Sequence, residues 1–172
     1  MELWDIYDEN RIPTGRSMVR GDLIKDGDYH LVVHICIFND KGEMLIQQRQ
    51  PFKKGWSNLW DVSVGGSAVK GDSSRAAAER EVLEELGLKI DLDDIRPRFT
   101  VNFKNGFDDF YCIEQNVDIS ELKLQYEEVQ NVKWATKDEI KQMIDDEIFI
   151  PYHKSLIDML FWFRKNIGTL MI

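Results

Sequence analysis

Apolar and polar positions change rhythm several times along the chain, and each change predicts an element. LVVHICIFN (31–39), mainly apolar, and EMLIQQRQ (43–50), apolar only at 44–46, read as strands, and the polar Asn39-Asp40-Lys41-Gly42 between them predicts a hairpin. RPRFTVNF (96–103) and FDDFYCIEQNV (107–117) predict a second hairpin, turning at Asn105-Gly106. YEEVQNVKWAT (126–136) reads as another strand, KDEIKQMIDD (137–146) as a helix, and YHKSLIDMLFWFRKN (152–166) as a closing helix after Pro151. Strands and helices are mixed rather than regularly alternating. No internal repeat or low-complexity linker interrupts them, so residues 1–172 are expected to form one domain.

The segment GGSAVKGDSSRAAAEREVLEELGL (65–88) predicts one more helix. Asp72, Ser73 or Ser74 can cap its amino end, and Gly87 can close it in a left-handed conformation. At roughly 100° per residue, Glu81, Glu84 and Glu85 share one narrow face, with Val82, Leu83 and Leu86 expected on the anchoring side. Like charges three and four residues apart repel, so such a face needs something positive before it. A solvated acidic face is the bland alternative. Against it stands the glycine-rich loop of Gly65, Gly66 and Gly71, which lets backbone approach a ligand at the acids. Hard carboxylate oxygens on a rigid face suit Mg²⁺ or Mn²⁺, which complete their shells with water and substrate phosphates.

A net charge of −9 argues against a general nucleic-acid binder, which needs a cationic face, while leaving room for a small phosphorylated ligand met by local cations. Cys36 and Cys112 show neither zinc spacing nor a disulfide framework. The acidic start MELWDIYDEN is unlike a signal peptide, and no run approaches the roughly 18 apolar residues of a membrane span, so a cytoplasmic protein with no membrane partner is expected. Leu156, Ile157, Leu160, Phe161 and Phe163 of the closing helix are read as core rather than a membrane-surface stripe. Oligomeric state is left open, a homodimer included.

The box from Gly66 to Leu88 resembles the Nudix hydrolase signature, G-x5-E-x7-R-E-U-x-E-E-x-G-U with U aliphatic. Gly66, Asp72, Arg80, Glu81, Val82, Glu84, Glu85, Gly87 and Leu88 stand at its fixed positions, Asp72 replacing the usual Glu. The resemblance implies an α+β fold, an α/β/α sandwich around a mixed sheet. It also implies a divalent metal held by Glu81, Glu84 and Glu85, with Arg80 orienting a neighbouring glutamate. Asp72 would cap the helix or reach metal through water.

Beyond the box, residues 13–15, 29–56 and 59–68 resemble the branch related to type-I isopentenyl diphosphate isomerase. In that enzyme the strand entering the box carries a Cys followed by Gly-His-Pro; here Gly65-Gly66-Ser67-Ala68 stand there, removing thiol and imidazole. His30 matches another metal ligand of the isomerase, but Leu23 replaces its companion. Without an acid–base pair the isomerisation has no proton route. The expected function is therefore metal-dependent hydrolysis of a phosphoanhydride in a nucleoside diphosphate linked to another moiety. The alternatives are the isomerase, or a Nudix module that binds nucleotides without cleaving them.

Arg49 and Lys53 resemble the branch's diphosphate contacts and, with Gly65 and Gly66, are the expected substrate-binding residues; Lys54 reads as surface charge. Phe52, Trp56 and Trp60 are assigned to the core ahead of a base-stacking role. Glu84 or Glu85 is a candidate general base, and the later acids Asp108, Asp109, Glu127 and Glu128 compete with them, each read first as structural or solvated.

Overall fold

The computed structural model describes residues 2–168 and 170. An N-terminal hairpin, β1 (Leu3–Tyr7) and β2 (Pro13–Val19), forms a two-stranded sheet of its own. A seven-stranded sheet follows, made of β3 (His30–Phe38), β4 (Met44–Arg49), β5 (Trp60–Asp61), β6 (Val64–Ser67), β7 (Phe99–Phe103), β8 (Gly106–Glu114) and β9 (Val129–Ala135). Helices α1 (Ser74–Leu86), α2 (Lys137–Asp145) and α3 (Lys154–Phe163) cover it. The sheet is mixed: β3 pairs in parallel with β8 and antiparallel with β6, and β4 pairs antiparallel with β5 and β9.

Alternation along the strands decides which helix each residue meets. Leu31, Val33, Ile35 and Ile37 of β3 join Ala77, Ala78, Val82 and Leu86 of α1 in one core cluster. Cys36 and Phe38 face the other way and pack with Ile140 and Met143 of α2 and Ile157, Leu160 and Phe163 of α3. Two apolar layers on one sheet make the α/β/α sandwich. Among the described residues no helix is long and apolar enough to cross a membrane.

The β3–β4 hairpin is present but holds only at its turn. Phe38 pairs with Met44, after which the strands splay and take other partners. A period-2 pattern shows a strand's faces and not its neighbours, so this split was invisible in the sequence. The β7–β8 hairpin turns one residue earlier than expected, through Lys104 and Asn105, with Gly106 paired to Phe103. Gly106 is needed for close approach, since a Cβ there would overlap the His30 carbonyl oxygen and the Phe103 ring.

In α1, Ser73 is the cap, accepting from Ala76 N at 3.1 Å, and Gly87 closes the helix at φ 64°. Leu83 does not anchor it. That side chain is 45% exposed, and Ala77, Ala78 and the carboxylate Glu85 are buried instead. The closing helix is shorter than 152–166, because the His153 side chain caps it and fixes Lys154 as its first residue. Trp60 packs against the core as expected, but Trp56 and Phe52 do not, at 54% and 57% exposure.

Candidate active site

Where β3 and β4 part, a cleft of about 610 Å³ opens through the sheet. Its lining includes Glu81, Glu84 and Glu85 of α1, Arg80, and Gly65, Gly66 and Ser67 of β6. Arg49 at the end of β4 and Lys53 and Trp56 in the following loop add to it. Every residue expected to hold metal or substrate therefore borders one cavity. Glu2, Arg20, His34, Asp61, Gln125, Glu128 and Tyr152 join them, and sequence reasoning had not placed these in the site. His34 and Asp61 left one trace, a polar side chain inside an otherwise apolar stretch. Glu128, one of the acids read as structural or solvated, lines the cleft and pairs with Lys53.

Something positive does face the acids, and it comes from the same helix. The Arg80 Nη1 donates to Glu81 Oε1 at 3.0 Å and to Glu84 Oε2 at 3.2 Å. Nε and Nη2 donate to Asp72 Oδ2 at 3.1 and 3.0 Å, and Nη2 also reaches the Ser67 carbonyl at 3.1 Å. One guanidinium thus fastens the loop, the helix and two of the three glutamates. Asp72 does not cap the helix; its carboxylate holds Arg80 and accepts from Val69 N at 3.2 Å.

Glu85 lies outside this network. It is 5% exposed and accepts one side-chain hydrogen bond, from Gln47 Nε2 at 2.9 Å. Burial pushes its pKa from 4.5 to about 8, against the pull of Gln47 and reinforced by Glu81, Glu128 and Asp61. Burial also lifts Glu81, outweighing the attraction of Arg80. Beside Glu85 the Gln47 Oε1 is buried with no hydrogen-bond partner among the described residues. The wall around Glu85 and Gln47 is thus rich in hard oxygens, which fits an oxygen-seeking divalent cation. Among the described residues no three His, Cys, Asp or Glu side chains converge as a preformed cage. Arg80 draws Glu81 and Glu84 toward itself.

The paired glycines line the cleft and also leave room for its side chains. A Cβ on Gly66 would overlap the Glu81 carboxyl, and one on Gly65 would stand 2.9 Å from the His34 ring. Gly71 has φ 90° and open space around it, and its N–H donates to Asp5 Oδ2 at 2.7 Å. His30, matched above to an isomerase ligand, stands apart from the cleft. It stacks on Trp4 at 4.3 Å and meets the edge of Phe103, while Leu23 is 93% exposed. Asp109 is equally removed, fully buried and bound by Arg11, Ser74 and Thr100.

A seven-stranded mixed sheet between helices, with the Arg80-Glu81-x-x-Glu84-Glu85 helix lining its cleft, defines the class. The chain belongs to the Nudix family, whose domain model matches residues 28–154, and it is a Nudix-type hydrolase. It is 50% identical over 152 residues to a Nudix hydrolase of Listeria monocytogenes serovar 1/2a, covering 88% of this chain and 90% of the relative. Weaker similarity reaches an isopentenyl-diphosphate Δ-isomerase of Pectobacterium atrosepticum, 27% identical and covering 83% of this chain and 70% of the relative. The crystal structure of DR0079 from Deinococcus radiodurans shares the fold with a TM-score of 0.75 at 22% identity, over 92% of this chain and 99% of that one.

Proposed function

We propose that the protein hydrolyses a phosphoanhydride bond in a nucleoside diphosphate linked to another moiety, using Mg²⁺ or Mn²⁺ held by Glu81, Glu84 and Glu85. The observation that carries this reading is Glu85, a buried carboxylate with one donor and a pKa near 8, facing a cleft that also holds Arg49 and Arg20. Keeping such a group uncompensated is costly for folding, and a divalent cation is the partner its surroundings leave room for.

Arg49 is placed to grip diphosphate oxygens. Its Nε is fixed by the Gly55 carbonyl at 3.1 Å, which leaves the two Nη groups for ligand. Lys53 adds charge while tied to Glu128. Arg80 holds Glu81 and Glu84 in register, so reactants meet a fixed set of oxygens. A cation held there by Glu81, Glu84 and Glu85 would neutralise diphosphate oxygens and lower the pKa of water. Glu84, half exposed, or Glu85 accepts the proton as water attacks phosphorus.

The test is a panel of nucleoside diphosphate derivatives incubated with Mg²⁺, products being identified by mass. Hydrolysis that stops on chelation and is abolished in Glu84→Gln and Glu85→Gln is expected; undiminished turnover in both variants sinks the assignment. Tight binding without cleavage would instead mark a binding module. Interconversion of isopentenyl and dimethylallyl diphosphate, with deuterium taken from solvent, would mark an isomerase.

A further inference from the structure

The cleft has a second polar wall, on the face of the sheet away from α1. There, β3 turns His34 toward the cleft beside the parallel strand β8. His34 Nδ1 lies 2.7 Å from Asp108 Oδ1, which fixes a proton on Nδ1 and presents Nε2 to the cavity. Nε2 is 3.4 Å from the Tyr152 hydroxyl, which itself donates to Asp61 Oδ1 at 2.9 Å. At that length the Nε2 contact is weak, so in the protonated ring, where both nitrogens carry hydrogen, the Nε2–H is free for a ligand oxygen.

The ring is held from every other side. It stacks on Phe110 at 4.9 Å with planes 10° apart, and its Cδ2–Nε2 edge lies against Gly65, the residue opposite it on β6. A Cβ at 65 would stand 2.9 Å from Cδ2 and Nε2, so this position must be glycine for the imidazole to occupy the cleft wall. Position 65 is also the one set against the isomerase thiol. A valine in place of His34 would suit this apolar strand without the desolvation cost of a buried histidine–aspartate pair, so the pair is poor value as a stabilising device.

We propose that His34, positioned by Asp108 and Tyr152, donates a proton to the leaving oxygen as the phosphoanhydride breaks. The proposal rests on the hydrolase reading above. The water oxygen bonds to phosphorus and the bond from phosphorus to the bridging oxygen breaks, its electron pair staying on that oxygen. The Nε2 proton moves to it. The proton shed by the water passes to a carboxylate of α1 and on to solvent, and solvent restores the proton on His34.

The groups facing the ring agree with a protonated donor. Asp108 on β8, Asp61 on β5, Tyr152 ahead of α3 and Arg49 at the end of β4 act on it. Burial would lower the His34 pKa, but the hydrogen bond and charge of Asp108, with Asp61 behind, outweigh burial and Arg49 and raise it above 6.5. Turnover through this donor is full below that raised pKa and is lost as pH rises through it.

The experiment is a kcat–pH profile with Mg²⁺, on whichever diphosphate the wild-type protein cleaves, for wild type, His34→Gln, Asp108→Asn and Gly65→Ala. His34→Gln should lower kcat about 100-fold with KM within about twofold, and erase the alkaline limb. Asp108→Asn should move that limb to lower pH. Gly65→Ala, which displaces the ring while keeping it, should lower kcat with the histidine still present. Should His34→Gln not fold, the other two variants decide. Wild-type kcat and an unmoved limb in the variants would overturn the role of His34 while leaving the hydrolase standing. A wild-type protein that cleaves no diphosphate overturns both.

Discussion

Two buried carboxylates stand at opposite ends of α1, Asp109 against its first residue and Glu85 in its last turn, and have been treated differently by the fold. Asp109 is completely buried and surrounded by donors: both Arg11 Nη groups, Ser74 Oγ at 2.5 Å and Thr100 Oγ1 at 2.6 Å. Those bonds tie the turn of the N-terminal hairpin to β7 and to the first turn of α1. Glu85, almost as buried, has Gln47 alone and a pKa near 8. A carboxylate whose desolvation is repaid by fixed donors is structural; one left in deficit beside a cleft is the group that the proposed function assigns to a cation. The contrast separates the two groups where sequence type and burial do not.

The sharpest way to break the contrast is Glu85→Gln. Glu85 titrates near 4.5 when unfolded and near 8 when folded, so its ionisation costs the native state stability as pH rises from 4.5 toward 8, a cost retained above that. Gln escapes this. The variant should be more stable than wild type by about 3 kcal/mol at pH 7, and equal to it near pH 4, while losing at least about a thousandfold in turnover. Thermal melts across pH check the first part and initial rates the second.

Asp109→Asn should do the reverse. An amide cannot accept from all of these donors and leaves the Arg11 guanidinium unmatched, so unfolding by urea should show a loss of about 3 kcal/mol, with kcat per folded molecule kept within about twofold. A variant as stable as wild type would refute the structural reading of Asp109.

Gly66→Ala comes next. The added Cβ meets the flexible end of Glu81, so stability should change by less than about 1 kcal/mol, while the displaced carboxylate costs more than about tenfold in kcat. Equal losses in both would mean that Gly66 serves the fold. The smallest effect belongs to Leu83→Ala on the exposed flank of α1, expected within about 0.5 kcal/mol, against about 2 kcal/mol for the fully buried Val82→Ala. A large effect at Leu83 would restore the anchoring role first given to it.

How much was legible follows from what a linear pattern can carry. The signature from Gly66 to Leu88 placed α1 and its three glutamates, because helix geometry turns spacing into a shared face. It could not tell which glutamate would be buried, since that depends on β4 presenting Gln47 opposite position 85. Arg49 and Lys53 were found by likeness, and the cleft joins them to the acids. The N-terminal hairpin was missed, and Arg20 with it, because most of β2 is exposed and shows no alternation to read. His34 and Asp108 lie 74 positions apart and meet only because β3 and β8 run in parallel, a pairing that neither strand announces. The wrong assignment of Trp56 and Phe52 to the core came from taking aromatic character as burial; the loop carrying Trp56, at φ 50°, turns that ring to the cleft mouth instead.

The central claim is that the deficit at Glu85 is filled by a divalent cation, and calorimetric melting at pH 8 with and without Mn²⁺ addresses it most directly. Wild-type protein should gain several degrees in Tm with millimolar Mn²⁺, and Glu85→Gln, already more stable without metal, should gain almost nothing. An equal Mn²⁺-induced rise in both proteins, or none in either, would contradict the account.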